Sequence, residues 1–265
     1  MLTLFQLREK PVMTESVLPL YVVAQEYGRE PGLLPTWADH GDDVLRFDNL
    51  SSEQVSRVDI DSVPGAFHLD NVLSSRECEQ FLKLSEMAGF HEDSPVSLPH
   101  EIRHNHNFNW VVSEYIDQTI WNRCQNHVTE IVDGRKAVGL NARFRFYRYQ
   151  VGDFFKPHTD GAWPGSRVID GKLVQDAYDG IYSEYTFLIF LSDGYSGGRT
   201  QFFVSKSNPE SPAVSQDDLT VINVETAKGS VLCFPHGNHP QHCLHAGESI
   251  SDGTKYIIRT DILYA

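Results

Sequence analysis

The chain has 265 residues, of which 40% are hydrophobic and 22% are charged. This composition is typical of a folded globular protein and excludes a disordered or fibrous chain. Lysine and arginine number 22 against 36 aspartates and glutamates, which gives a formal net charge of −14. Proteins that bind nucleic acids or anionic membranes usually carry the opposite sign, so we expect neither as a partner.

The N-terminal quarter of the sequence lacks a regular pattern and contains many turn-forming residues. These are Pro31, Gly32, Pro35, the stretch 39–43 and Pro64-Gly65. We therefore expect turns and loops here, and an N-terminal extension of unknown role over residues 1–65. A single domain would follow over residues 66–265.

Three features favour a cytoplasmic protein. The first ten residues place their charges after their apolar residues, the reverse of a secretory signal. No apolar run approaches the roughly 18 residues that a membrane-spanning helix needs. The four cysteines lie far apart and form no CxxC pair, so we expect reduced thiols.

Two segments have the periodicity of amphipathic helices. Ser74 or Ser75 can cap the first, which ends near Gly89. Ser113 can cap the second, whose apolar stripe recurs every three or four residues as far as Ile131.

From Asn141 onward the periodicity changes to two, and short apolar runs are separated by Gly, Pro, Asn and Asp. The predicted strands cover residues 143–149, 185–191, 201–204, 219–224, 230–234 and 255–264. Helices followed by many short strands predict a mainly β protein of the α+β class. The architecture we expect is a double-stranded β-helix, a cupin-like jelly roll, with the helices packed on one sheet.

His158 and Asp160 lie two residues apart at the end of a predicted strand, so both side chains point to one face. One imidazole and one carboxylate form two corners of a metal site. A second histidine from a distant strand would complete a 2-His-1-carboxylate face, which suits Fe(II). Such a pair is also common beside surface turns, so its context decides between the two interpretations.

A second histidine-rich segment lies near the C-terminus. Its histidines recur at every third position, as His236, His239, His242 and His245. A zinc cluster with Cys233 or Cys243 is one interpretation. However, residues three apart face opposite sides of an extended chain, and the intervening Pro and Gly residues prevent a helix. A single metal-binding histidine is the other interpretation.

Four blocks of sequence follow one another in order. They are Tyr149-x-x-Gly152-x-x-Phe155-x-x-His158-x-Asp160, then residues 185–193, then Gly197-Gly198-Arg199-Thr200-Gln201-Phe202, then His245-Ala246-Gly247 with Gly253-x-Lys255. Together they resemble the catalytic core of prolyl 4-hydroxylase-like Fe(II)/2-oxoglutarate dioxygenases over residues 141–264. The resemblance implies Fe(II), 2-oxoglutarate as cosubstrate and O2, with ascorbate as a candidate reductant.

The resemblance also implies roles for individual residues. His158, Asp160 and His245 would be the metal ligands and the catalytic centre, with His242 as an alternative to His245. Lys255 matches the family's basic residue that pairs with the remote carboxylate of 2-oxoglutarate.

Two further residues are candidates for contact with the cosubstrate, and each has an alternative structural role. Arg259 shares a strand face with Lys255, and its guanidinium grips a carboxylate with two parallel hydrogen bonds. It either binds 2-oxoglutarate or forms a salt bridge with Asp261. Tyr149 matches a strand tyrosine that contacts the cosubstrate in related enzymes, although a packing role fits equally.

The implied function is hydroxylation of a C–H bond of a prolyl or other amino-acid residue in a peptide or protein, with release of succinate and CO2. The alternatives are the same chemistry on a free amino acid or small metabolite, a non-catalytic metal- or ligand-binding jelly roll, and a zinc hydrolase.

Residues 161–183 are predicted to form a long loop, either a lid over a basic or proline-bearing peptide or a solvated excursion. Residues 102–110 are predicted to form a structured loop. The sequence leaves the oligomeric state open.

Overall fold

The computed structural model describes residues 18–42, 44–95 and 98–265. Helix α1 spans Ser75–Ala88, helix α2 spans Glu114–Cys124, and a short 3-10 helix spans Ser52–Gln54. The strands are β1 Leu20–Tyr27, β2 Leu33–Asp39, β3 Ser56–Asp59, β4 Phe67–Asp70, β5 Arg103–His104, β6 His106–Val111, β7 Ile131–Val132, β8 Arg135–Leu140, β9 Arg143–Tyr149, β10 Phe154–His158, β11 Arg167–Ile169, β12 Lys172–Val174, β13 Tyr182–Phe190, β14 Ser196–Gly197, β15 Thr200–Ser205, β16 Leu219–Val224, β17 Val231–Pro235, β18 His245–Gly247, β19 Ile250–Asp252 and β20 Lys255–Tyr264.

Two sheets form the body of the fold. The large sheet has the order β1-β2-β6-β9-β20-β13-β17-β4-β3, with β8 beside β20 and β7 beside β8. The small sheet has the order β16-β15-β18-β10-β5. The chain passes back and forth between the sheets, with β15 and β16 as a hairpin within the small sheet, so that β9-β20-β13-β17 and β16-β15-β18-β10 form the two halves of a double-stranded β-helix. The predicted jelly roll is confirmed.

The large sheet has apolar side chains on both faces, because successive side chains of each strand point to opposite faces. On β20, Ile258 and Ile262 belong to the core shared with the helices, whereas Ile257 belongs to a second core between the two sheets. Phe146 of β9 lies beside Phe81 of α1, with ring centroids 6.1 Å apart. The helices therefore cover the outer face of this sheet, as predicted, and leave the inner face for a site.

The N-terminal region differs from the prediction of turns and loops. Strands β1 and β2 form an antiparallel hairpin, and β2 pairs in parallel with β6 in the large sheet. Pro35 lies within β2, but only residues 36–38 of β2 pair with strands on both sides. The N–H that proline lacks is therefore not needed for pairing with β6. The loop prediction was wrong for residues 33–39. The domain boundary at residue 65 stays a prediction, although β1 to β3 belong to the same sheet as the rest.

Helix α2 begins after Ser113 as predicted but ends earlier than its apolar stripe suggests. The chain turns after Cys124, where Val128 is still buried. Ile131 is 53% exposed in β7, which pairs with β8. The apolar spacing wrongly extended the predicted stripe to Ile131, because the buried Val128 falls at a helical interval although it lies in a turn.

The prediction of a structured loop over residues 102–110 was also wrong. Strand β6 pairs along its whole length with β9. Phe108 and Trp110 belong to the core beneath the helices. Asn107 and Asn109 lie opposite Tyr147 and Arg145, on the inner face. Asparagine normally indicates loops, but here it faces the polar interior of the barrel.

Residues 167–174 form a hairpin within the segment 161–183, which was predicted to be a long loop throughout. Strands β11 and β12 pair with each other, and Val168 and Leu173 pack against the core beneath the helices. Arg167 of β11 makes two hydrogen bonds, of 2.6 and 3.2 Å, to the carboxylate of Asp117 in α2. The hairpin is therefore fastened to the helix layer, and a mobile lid over the substrate does not fit this attachment.

Breaking this buried ion pair should destabilise the fold. The Asp117 side chain is 1% exposed, so Arg167→Met leaves a carboxylate buried without its cation. We expect the free energy of unfolding, measured by urea titration, to fall by about 3–5 kcal/mol. The double variant Asp117→Leu/Arg167→Met removes both charges and should recover most of this loss. A single variant that loses less than about 1 kcal/mol would contradict a structural role for the pair.

All four cysteines, Cys78, Cys124, Cys233 and Cys243, are buried and free, as the predicted thiols require. Within residues 18–42, 44–95 and 98–265, no helix combines the length and apolar character needed to cross a membrane.

Candidate metal centre

The three residues predicted as metal ligands meet between the two sheets. His158 Nε2 lies 3.7 Å from one carboxylate oxygen of Asp160, and His245 Nε2 lies 3.7 Å from the other. Each residue offers one ligand atom, and the three atoms lie within 4.8 Å of one another. In the part of the chain that the structure describes, no other group of three or more His, Cys, Asp or Glu residues could hold a metal ion in this way. The alternative zinc cluster of the C-terminal histidines is therefore not formed.

Strand pairing explains why residues so far apart in sequence meet. Strands β10 and β18 are antiparallel neighbours, and His158 is the direct register partner of His245. Directly opposed residues project from the same face of a sheet. Asp160 follows the end of β10 by two residues, so its carboxylate reaches the same point.

Both imidazoles are oriented by backbone carbonyls. The Nδ1 of His158 lies 2.8 Å from the carbonyl oxygen of Lys156, and the Nδ1 of His245 lies 3.2 Å from that of Cys243. A hydrogen on each Nδ1 leaves the lone pair of each Nε2 free for a metal ion, and backbone contacts of this kind are typical of metal-binding histidines. Burial and the neighbouring His245 lower the pKa of His158 to about 3, so its ring is neutral. These features fit a bound divalent metal ion.

The Asp160 carboxylate is held by two residues of the large sheet. Thr186 Oγ donates a 2.7 Å hydrogen bond to Oδ2, and an Arg259 Nη atom lies 3.0 Å from Oδ1. Burial by itself raises the pKa of Asp160, but the Arg259 guanidinium and the two imidazoles outweigh it and keep the pKa well below its usual range. The carboxylate is thus ionised and fixed in orientation.

Thr186 and His236 are functional candidates that the sequence did not single out for this purpose. His236 is 1% exposed and lies 2.8 Å from Thr186 Oγ and 2.8 Å from Ser183 Oγ. Because the threonine hydrogen goes to Asp160, His236 Nδ1 must donate to Thr186. His236 therefore orients Asp160 through Thr186. The alternation of the 185–191 strand places Thr186 inward and is the only sequence signal for it.

Lys255 lies in the same pocket, on the inner face of β20. Its side chain is buried and its Nζ donates a 2.5 Å hydrogen bond to the carbonyl oxygen of Gly198. Gly198 has a φ of +67°, and a Cβ there would lie 3.3 Å from the lysine Cδ, so glycine makes this approach possible. Among the described residues Lys255 has no ion-pair partner, and two of its three donors remain for a ligand.

Arg259 is paired where Lys255 is not. Its guanidinium contacts the carboxylates of both Asp160 and Asp261, the latter at 3.3 Å. The salt bridge with Asp261 that the sequence left open therefore exists, with Asp160 as an additional partner. Tyr149 is the register partner of Lys255 on β9 and also lines the pocket, beside Thr200.

No protein-family model matches this sequence. No curated protein sequence matches it either.

Several solved structures are similar in the course of the chain. A viral collagen prolyl hydroxylase from Paramecium Bursaria Chlorella virus-1, in complex with 2OG, is 18% identical with a TM-score of 0.47, over 76% of this chain and 97% of that one. A Pseudomonas putida prolyl-4-hydroxylase is 13% identical with a TM-score of 0.45, over 75% and 91%. A Trichoplax adhaerens prolyl hydroxylase, in complex with a hypoxia inducible factor peptide fragment, is 16% identical with a TM-score of 0.49, over 75% and 83%.

Proposed function

We propose that this protein is an Fe(II)- and 2-oxoglutarate-dependent dioxygenase that hydroxylates a C–H bond. The observation that carries the proposal is the convergence of His158, Asp160 and His245, with both Nε2 atoms directed at the carboxylate. Two imidazoles and one carboxylate on one side of a metal ion leave the other positions open, which is the arrangement of non-haem Fe(II) oxygenases.

The residues divide the work in the following way. His158, Asp160 and His245 hold the metal ion. Bound Fe(II), with 2-oxoglutarate and dioxygen, supplies the oxidising chemistry: one oxygen atom enters the C–H bond and the cosubstrate becomes succinate and CO2. Thr186 and Arg259 keep Asp160 ionised and oriented, so that the ligand set stays intact when the pocket fills.

Lys255 is the residue we assign to the remote carboxylate of 2-oxoglutarate. It is a buried cation without a carboxylate partner, and ionic hydrogen bonds are strong where little water competes. Arg259 lies four residues along the same strand, about 13 Å from Lys255, and already contacts Asp160. Tyr149 and Thr200 also line the pocket and would contact the body of the cosubstrate.

Apolar side chains complete the pocket and limit its access to water. Leu188, Phe234 and Ile257 line it from three strands of the large sheet. An apolar lining excludes water from the reaction and strengthens the electrostatic interactions within the site.

We further propose that the substrate is a prolyl or other amino-acid residue in a peptide or protein. The support for this is the resemblance of the ordered sequence blocks to prolyl 4-hydroxylase-like enzymes. A free amino acid or small metabolite is the alternative substrate class with the same chemistry.

Succinate release tests the proposed chemistry. Protein supplied with Fe(II), 2-oxoglutarate and air should form succinate slowly even without a substrate. Without oxygen, the same mixture should show a weak visible charge-transfer band. A non-catalytic binding module would show the band but release no succinate, and a zinc hydrolase would do neither.

Binding of 2-oxoglutarate should weaken as the pH rises above about 7. Burial lowers the pKa of Lys255 from 10.5 to about 7, against the opposing effect of Glu248. The charged ammonium is fully present below this pKa and is lost above it, so the affinity should fall by up to about tenfold per pH unit. The Kd for 2-oxoglutarate, measured with Mn(II) from about pH 6 to 9, checks this. Lys255→Arg stays charged and should show a flat profile, whereas a flat profile for the unmodified protein would contradict the assignment.

A further inference from the structure

A second cavity, of about 230 Å³, lies at the end of the barrel away from Lys255. We call it the arginine cavity. Its polar lining residues are Glu26, Arg143, Arg145, Trp163, Ser166 and Gln175. Both arginines come from β9 and project from the same face as Tyr147 and Tyr149, because alternate residues of a strand share a face.

A chain of ion pairs joins the arginine cavity to the proposed metal centre. An Arg145 Nη atom lies 3.2 Å from Asp261, whose other oxygen lies 3.3 Å from Arg259. Arg259 in turn contacts Asp160 at 3.0 Å. Three successive ion pairs thus connect Arg145 in the cavity lining to the metal ligand Asp160.

The cavity offers more hydrogen-bond donors than acceptors. The Arg143 and Arg145 side chains are each only 5% exposed, and Glu26 is the one carboxylate among the described residues of the lining. The Nε of Arg143 and the Nε1 of Trp163 are buried, and no described residue accepts a hydrogen bond from either. A buried N–H without an acceptor is costly, so an acceptor supplied by a ligand would be favoured.

Glu26 shows which kind of group the cavity accepts. Its carboxylate lies 2.6 Å from an Arg143 Nη atom and also accepts hydrogen bonds from Thr36 and Gln175. Glu26 belongs to β1, the edge strand of the large sheet, so the N-terminal hairpin forms one wall of the cavity. Glu26 pairs with Arg143 and Asp261 pairs with Arg145, so the donors left for a ligand are the Arg143 Nε and the Trp163 Nε1.

We infer that the arginine cavity binds a carboxylate of the substrate, which fixes the substrate beside the metal ligands. The inference rests on the proposed function, since it assigns the cavity to the substrate of that reaction. The protein has a formal net charge of −14, which repels anions in general. The two neighbouring arginines of the cavity therefore give local selectivity for a carboxylate. The expected substrate is thus an acidic peptide or a small carboxylic acid, rather than the basic peptide considered above for a lid over residues 161–183.

Benzoate and its neutral counterpart benzamide are the first probes. Isothermal titration should show that benzoate binds at least about tenfold more tightly than benzamide, because the carboxylate accepts charge-assisted hydrogen bonds and the neutral amide does not. Arg143→Gln and Trp163→Phe should each remove most of this preference, whereas Glu26→Gln should strengthen benzoate binding by freeing Arg143. Arg148→Gln, on the outer face of the same strand, is the matched control and should change nothing.

Two peptide-like probes identify the source of the carboxylate. Acetyl-Gly-Pro-Glu-amide presents an acidic side chain, and acetyl-proline presents the carboxylate of a small acid. Whichever binds, its neutral amide counterpart should bind at least about tenfold more weakly. Equal binding of acids and amides, or a preference that survives Arg143→Gln, would overturn the inference.

Benzoate can also enter the cosubstrate pocket, and Lys255→Met distinguishes that pocket from the arginine cavity. Benzoate binding that survives in Lys255→Met belongs to the arginine cavity, and binding that is lost there contradicts our inference. These titrations need no turnover. Failure of carboxylate selectivity with intact succinate release would refute only this inference, and selectivity without succinate release would refute only the proposed function.

Discussion

Replacement of His245 with alanine is expected to abolish metal-dependent succinate formation. His245 contributes one of the three ligand atoms, and its Nε2 faces the Asp160 carboxylate at 3.7 Å. Loss of an outer partner of a metal ligand costs about 10–100-fold in metal affinity or activity, so loss of a ligand should cost more than about a hundredfold. Mn(II) titration and substrate-free succinate release measure both effects.

His242→Ala provides the matched control, because His242 was the alternative ligand. His242 contacts the backbone carbonyl of His239 and does not belong to the three-residue group. Its replacement should leave metal affinity and succinate release within about twofold of the unmodified protein, as expected for a surface substitution. The reverse pattern, with His242→Ala inactive and His245→Ala active, would show that the ligand assignment is incorrect.

Replacement of Lys255 with methionine should raise the Kd for 2-oxoglutarate by at least about 30-fold. Removing one partner of a buried, hydrogen-bonded charge pair costs about 2–5 kcal/mol, and methionine keeps the size of the side chain. Mn(II) binding should not change, because the three proposed ligands remain in place. The pair of affinities therefore separates the cosubstrate role from the metal role.

Arg259→Gln should show a different pattern and decides between the two basic residues. Arg259 contacts Asp160, so its loss should weaken metal binding as well as turnover. If Arg259→Gln raised the Kd for 2-oxoglutarate with unchanged metal binding, while Lys255→Met had no effect, the cosubstrate carboxylate would belong to Arg259.

Local sequence patterns predicted the strands of the barrel well. Period-two alternation located β9, β16 and β20, and the start of α1 follows from Ser74, whose side chain accepts the hydrogen bond of Glu77. The pattern failed at residues 102–110, where asparagines face a polar interior, because the polarity of that interior is set by Arg145 and other residues distant in sequence. Solvent exposure and a buried polar environment produce the same local signal.

The candidate site was predictable in part for a similar reason. The ordered motif blocks singled out His158, Asp160 and His245, and the structure brings them together. Thr186, His236 and the arginine cavity depend on which strands become neighbours. That information arises only when β9, β20 and β13 assemble.

The most direct test of the central claim is anomalous diffraction from crystals grown with Mn(II) and 2-oxoglutarate in the absence of oxygen. We predict one strong peak that is bounded by His158 Nε2, His245 Nε2 and an Asp160 oxygen, each at roughly 2.0–2.3 Å. A peak located elsewhere, or fully loaded crystals without a peak between these three side chains, would contradict the account.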